Sequence, residues 1–215
     1  MNRYLLKLGN NLSDIRNTLS YTQEEFANLL GVSRPTIIKI EQDPTKMTKS
    51  VALALFTGVQ GVLEENEYNL KSIDPTKYQT ADSAVRLIAK VGSSAAILST
   101  GTLLTAIATL PIAGLSGILL GATSFTALSG FINKKRKQAK EGKEDEGILK
   151  ENVQKNIDFN KLKDFWNVQT ADKILGAAKE SIQKKAKECL AFFELEEWNS
   201  RIFLKKINEG EIEEF

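Results

Sequence analysis

Phe26, Ala27, Leu29 and Leu30 follow one another at the spacing of a helix face. Thr22 stands ahead of Gln23-Glu24-Glu25, which sets a hydroxyl cap with a carboxylate at the third helical position. Gly31 comes next, where positive φ is cheap, so the pattern predicts a short helix bounded at both ends. A second helix opens at Ser33 after only two intervening residues. Pro35 falls in its first turn, where no amide partner is lost. Ile37 and Ile40, three apart, should face inward and leave Arg34, Thr36 and Lys39 pointing elsewhere. Leu53, Leu55, Phe56, Val59, Val62 and Leu63 prolong the apolar face through a fourth helix, or a fourth and a fifth, completing a small core with some of them left for self-association.

Further along, the text changes. From Val91 to Asn133 no side chain is charged. Pro111 divides this run into two pieces of about 20 residues, each about 30 Å long as a helix and so matched to a bilayer core. Lys90 precedes the run and Lys134-Lys135-Arg136-Lys137 follows it, a flanking pattern that favours both ends on the cytoplasmic side. Yet Gly, Ala, Ser and Thr fill more than half of the run, and Gly114, Gly117 and Gly121 permit close backbone approach. A tightly packed soluble hairpin would use the same residues. Both placements stay open.

Beyond a charged stretch, the spacing again predicts amphipathic helices. Leu149, Val153, Ile157, Phe159, Leu162, Phe165 and Trp166 form one set. After a break near Asn167, Thr170 is expected to cap a helix running through Ile174, Leu175, Ala178, Ile182, Ala186 and Leu190. Phe192, Phe193, Leu195, Trp198, Ile202, Phe203 and Ile207 add an aromatic-rich load that reads as core or partner surface. Gln79-Thr80-Ala81-Asp82 and Gln169-Thr170-Ala171-Asp172 echo one another, and two similar helix openings account for that without duplication. The expected organisation is all-α. Residues 1–66 form one domain, 67–90 a linker and amphipathic helix, and 91–133 the uncharged hairpin, transmembrane or soluble. Residues 134–147 form a charged linker and 148–215 a C-terminal helical region.

Charge alters this picture little: the net +2 does not mark a nucleic-acid binder. Residues 1–65 hold seven basic and seven acidic side chains, so any affinity for phosphate there must come from placement on one face. The basic tetrad at 134–137 suits anionic lipid headgroups, beside the uncharged run, better than DNA. Histidine is absent, which removes imidazole ligands, imidazole bases and Ser-His or Cys-His nucleophile pairs. The one cysteine, Cys189, sits in an apolar helical stretch and reads as a buried thiol; a chain without an internal disulfide suits a reducing compartment. Asn2, Arg3, Lys7, Asn10 and Asn11 interrupt any apolar secretory core at the start. Neither the glycines of the uncharged run nor Gly142-Lys143 form a phosphate loop. No metal, cofactor or catalytic residue is expected, and the chain does not read as an enzyme.

Two short helices joined by so tight a turn, the second opening Ser-Arg-Pro-Thr, form a helix-turn-helix pattern. Residues 11–59 resemble the phage repressor-like, Xre-type helix-turn-helix domain. The resemblance rests on Thr22-Gln23-Glu24-Glu25-Phe26-Ala27, on Leu30-Gly31-Val32-Ser33-Arg34, and on Thr36-Ile37-Ile38-Lys39-Ile40-Glu41. It implies that the helix over 33–41 enters the major groove of duplex DNA. It implies also that Gln23 contacts phosphate and braces the reading helix, and that Arg16 and Glu41 form an internal ion pair. Pro35 departs from the polar residue usual there and leaves one fewer side chain able to hydrogen-bond a base.

Residues near the start of a docked helix reach base edges, while its amide terminus and neighbouring side chains take phosphate. Arg34 and Thr36 are therefore the expected base readers: Arg can take guanine O6 and N7 together, and a Thr methyl can pack on thymine. Thr22, Gln23, Ser33, Lys39, Lys46 and Lys49 are expected on the backbone. One such domain reads few base pairs, so a homodimer or higher homo-oligomer is the economical expectation. The reading reached is a sequence-specific transcriptional regulator whose DNA-binding domain is cytoplasmic, with the inner face of the membrane as a potential tether and an unidentified signal or protein partner. The alternative is a membrane-active effector or immunity-type protein whose helix-turn-helix serves autoregulation or docking.

Overall fold

In a computed structural model of the chain, the residues described are 2–80, 83, 86, 87, 90, 91 and 166–209. The elements among them are α1 (Arg3–Thr18), α2 (Gln23–Leu30), α3 (Arg34–Gln42), a 3-10 turn (Pro44–Lys46), α4 (Lys49–Lys71), a second 3-10 turn (Pro75–Lys77), α5 (Val168–Phe192) and α6 (Ser200–Glu209). The fold is all-α, as the periodicity predicts, and no strand occurs among the described residues. The chain divides into two compact units, Met1–Glu65 with Gln183–Phe215, and Asn66–Ile182.

In the first unit each early helix starts on a side-chain cap. Asn2 Oδ1 accepts from the Tyr4 and Leu5 amides, both at 3.0 Å. Thr22 and Glu25 form the expected reciprocal pair, the Glu25 amide donating to Thr22 Oγ1 at 3.2 Å and the Thr22 amide to Glu25 Oε2 at 3.0 Å. Gly31 ends α2 at φ 65, the left-handed conformation that glycine adopts without strain. Ser33 caps α3 by position only: no α3 amide donates to its hydroxyl. Thr48 Oγ1 accepts from the Val51 amide at 3.2 Å and opens α4.

The apolar face beyond residue 49 is one continuous helix, and Leu53 is the member of the set left outside the core, 41 % exposed. Leu55, Phe56 and Val59 do enter it, beside Leu8, Leu12, Ile15, Phe26, Ile37 and Ile40. Complete burial of such side chains stabilises by roughly 1.5–3 kcal/mol each.

The remainder of this core comes from the far end of the chain. Phe203 of α6 stacks on Phe56 at 4.4 Å between ring centroids, and Phe193 meets Phe56 edge-on at 5.7 Å. Trp198 lies 5.5 Å from Phe56, and Tyr4 meets Phe203 edge-on at 6.0 Å. Polar bonds follow the same seam. Tyr4 Oη donates to the Phe193 carbonyl at 2.6 Å, Asn11 Nδ2 to the Phe192 carbonyl at 3.4 Å, and Lys185 Nζ to the Thr18 carbonyl. Partners rise along α1 as they fall along α5, so the two helices run antiparallel here. Glu194, at φ 51, closes α5 and pairs with Lys7 and Lys206. These contacts hold its carboxyl below the usual range, the Lys7 bond first. Residues 148–215 were expected as a region of their own; 183–215 instead return to the first unit, because Phe56 and α1 present an apolar face that 1–65 do not cover.

In the second unit Ala171, Ile174, Leu175, Ala178 and Ile182 form the buried stripe of α5. The cap of that helix is not Thr170. Asn167 Oδ1 accepts from the Thr170 amide at 2.9 Å, so the helix starts three residues earlier and Thr170 is buried inside its first turn. Thr80, its counterpart in the echoed segment, does receive the Ser83 amide at 3.3 Å. Trp166 Nε1 donates to the Tyr78 carbonyl at 2.7 Å. Apart from Val91, which is buried, the uncharged run lies outside the described residues, as do the charged linker 134–147 and residues 148–165. No helix among the described residues is long and apolar enough to cross a membrane.

Candidate DNA-binding site

α3 projects from the first unit on two anchors. Ile37 and Ile40, 0 % and 1 % exposed, hold it to the body, and one turn of helix then sets Arg34 and Lys39 outward, both exposed. Neither Arg34 nor Lys39 makes a side-chain ion pair among the described residues. Thr36 is half-buried, and its hydroxyl lies 2.9 Å from Ser33 Oγ, so these two share a hydrogen bond at the helix opening. The Thr36 methyl remains the part of that side chain suited to an apolar contact.

Behind α3, a three-way polar junction fixes its far end. Arg16 Nε donates to Glu41 Oε1 at 2.7 Å, with both side chains largely buried. Gln23 Nε2 donates to the other oxygen, Oε2, also at 2.7 Å. The same guanidinium bonds the Tyr21 carbonyl at 3.0 Å through its NH1 nitrogen and Ser13 Oγ at 3.4 Å through its NH2 nitrogen. One carboxylate thus joins α1, the start of α2 and the end of α3. A charge-assisted bond of this kind is worth about 1.5–3 kcal/mol. The bond to Glu41 uses one N–H of the Gln23 side-chain amide, and the second N–H of that group is the donor that suits a phosphate.

Thr22 is exposed at that terminus, and its hydroxyl is committed to the capping pair with Glu25. Lys49 and Lys46 are exposed after α3. Lys46 Nζ lies 3.6 Å from Asp43 Oδ2, a solvated pair that costs little to open. Asp43 closes α3 with a turn that was not foreseen. Its Oδ1 accepts from the Thr45 amide at 3.1 Å and from the Thr45 hydroxyl at 2.5 Å. Those bonds hold the Asp43 carboxyl below its ordinary range, the hydroxyl first. The Asp-x-Thr spacing was the available signal, and it recurs at Asp74-Pro75-Thr76, where Asp74 Oδ1 accepts from the Thr76 amide at 3.0 Å. Gly9 of α1 is a second unforeseen contributor. A Cβ there would stand 2.6 Å from the Pro44 carbonyl oxygen, so only glycine lets α1 touch this turn.

Two short helices joined by a tight turn, with Arg34 and Lys39 of the second exposed among the described residues, form a helix-turn-helix arrangement. Residues 12–59 match the family model described as helix-turn-helix, the repressor-like class that the sequence resembles. No curated protein and no solved structure matches the chain.

Proposed function

We propose that the chain is a sequence-specific DNA-binding regulator of transcription, with α3 as the helix laid in the major groove. The observation that carries this reading is the Glu41 junction: it fixes α3 from behind through Arg16 and Gln23 while Arg34 and Lys39 stay exposed in front among the described residues. Arg34 and Thr36 read base edges. Lys39, Lys46, Lys49, Ser33, Thr22 and Gln23 set the backbone register. Two copies on a pseudo-palindromic site supply the length of sequence that one small domain lacks. The test is selection of bound duplexes from a random pool by the full chain, followed by Arg34→Ala on the selected sequence. Loss of preference among sequences supports the reading, and an unselective pool refutes it.

The uncharged run, flanked by Lys90 and Lys134–Lys137, supports a finer proposal: attachment of this DNA-binding unit to the inner face of a membrane. Fractionation decides it. A full chain that is monodisperse without detergent removes the tether. Permeability changes that persist on expression of the Arg34→Ala variant would favour the membrane-active effector instead.

A further inference from the structure

α4 keeps one long side clear of the core. Leu53 is 41 % exposed there, Thr57, Gly61 and Glu64 are exposed, and Gln60 is half-buried. At about 100° of rotation per residue these five fall within about 60° of Thr57, so they share a face. All five belong to the first unit. The face has relief. Leu53 stands up from it, and Gly61, about two turns on, leaves a hollow: a Cβ there would meet no atom within 4 Å among the described residues. Its polar members are satisfied along the helix itself. Thr57 Oγ1 donates to the Leu53 and Ala54 carbonyls at 3.0 and 3.3 Å, and Gln60 Nε2 donates to Glu64 Oε1 at 2.8 Å.

Such a face is complementary to itself. When a second α4 is turned about a two-fold axis at Thr57, the helices run antiparallel and positions equidistant from 57 come opposite one another. Leu53 then enters the hole framed by Thr57, Gln60, Gly61 and Glu64 of the second copy, and the reciprocal contact forms with it. That frame is the one used in knobs-into-holes packing, and the missing side chain at Gly61 makes room for the leucine. Charge selects the same register. Exposed Lys49, one turn before Leu53, comes level with the second copy's Glu64, whereas a parallel alignment would set Glu64 against Glu64. The Lys49 ammonium carries three donors, enough for that carboxylate and for the DNA backbone assigned to it above.

We propose that the α4 face around Leu53 and Gly61 is the surface on which two copies of this chain pair when they occupy a duplex with two half-sites. The proposal rests on the DNA-binding reading above and names the partner and the contact that reading requires. One helix against one helix falls short of the roughly 1,200 Å² of a stable interface, so the pair forms on the duplex, where adjacent half-sites hold both copies close.

The experiment uses the full chain and the duplex selected by it, beside a duplex with one half-site scrambled. The wild type should gain about tenfold in affinity per copy from the intact second half-site. Gly61→Leu fills the hollow on both copies and should erase that gain, with single half-site binding and base preference unchanged. Its melting temperature should hold or rise, because glycine is a weak helix former and the new side chain meets open space. Thr57→Cys, on the axis, should give a disulfide-linked dimer under diamide when the intact duplex is present. Ile202→Cys, 43 % exposed on α6, should stay monomeric, and buried Cys189 makes the wild type a blank. A Gly61→Leu protein that keeps the gain, or a Thr57→Cys protein that stays monomeric on the duplex, overturns the proposal. So does a wild type whose selected site holds one half only, or that gains nothing from the second. If Arg34→Ala still loses base preference in those cases, the DNA-binding function stands and only the pairing surface falls. Absence of duplex binding by the wild-type chain overturns both.

Discussion

Phe203 lies on α6, well outside residues 12–59, and the structure makes it a core residue of the DNA-binding unit. It is fully buried, stacked 4.4 Å from Phe56 with the rings 15° apart, and flanked edge-on by Phe193 at 5.7 Å and Tyr4 at 6.0 Å. Phe203→Ala removes a ring whose neighbours belong to α1, α4 and α5, so collapse into the cavity would have to move three helices. The cost should therefore sit within the usual range for such a truncation, about 3–5 kcal/mol. Against a total of about 5–15 kcal/mol for a domain of this size, that is a large share, and it should lower the melting temperature by about 12 °C or more. Hydrogen exchange on the full chain reads the effect: amides of α1, α2, α3 and α4 before residue 65 should lose protection together with those of α6. Ile202→Ala, one residue away and 43 % exposed, should stay within about 0.5 kcal/mol and serves as the control. If Phe203→Ala loosens α6 alone and leaves α1 to α4 as protected as before, α6 is an appendage and the reasoning is wrong.

Arg34→Ala should cost about 1–3 kcal/mol of specific binding at fixed salt, with melting unchanged, since the side chain is exposed and makes no ion pair among the described residues. Gly9→Ala drives a Cβ to 2.6 Å from the Pro44 carbonyl oxygen and 2.9 Å from its Cα. Because the obstacle is backbone, a loss of about 1–3 kcal/mol is expected, with amide shifts centred on residues 43–47. Burial pushes the Cys189 thiol up to about 12, against about 8.5 for a free thiol. Its neutral form thus contributes stability that is intact below the unfolded value and is lost as pH rises through the folded one. Burial also raises the Tyr4 phenol, with the Glu194 charge adding to it. Circular dichroism should show the first unit weakening from about pH 9 upward, and Cys189 should resist alkylation at pH 8 until denaturant is added.

The helix-turn-helix was legible because each of its features is local. A cap at Thr22, a stop at Gly31 and an apolar pair at Ile37 and Ile40 are written within two or three turns of chain. The Arg16–Glu41 contact was reached through resemblance alone, since no spacing rule brings residues 25 apart to 2.7 Å. Lys185 carried no signal, and Phe203 carried that of a core or partner-surface position without naming its partners. One reads as a solvated lysine on an amphipathic helix and the other as core of an unspecified domain; what they touch is decided by pairing with α1, which lies over 160 residues away. The cap of α5 failed for a smaller reason. Asn167 and Thr170 are both good capping residues, and only the observed bond chooses between them. Leu53 shows the limit of apolar patterning: its neighbours at Leu55 and Phe56 set the buried face, and one more leucine at another angle is left on the helix surface.

The first unit is written in two instalments, Met1–Glu65 and Gln183–Phe215. During synthesis the motif leaves the ribosome early, with the face around Phe56 still bare, and its covering helices follow only after the whole second unit. At about 5–20 residues per second that interval is on the order of ten seconds, long against the microseconds in which a helix forms. Such a nascent chain should display the motif before it can bind operator with full strength, and in that window it would depend on whatever shields exposed aromatic surface in the cell.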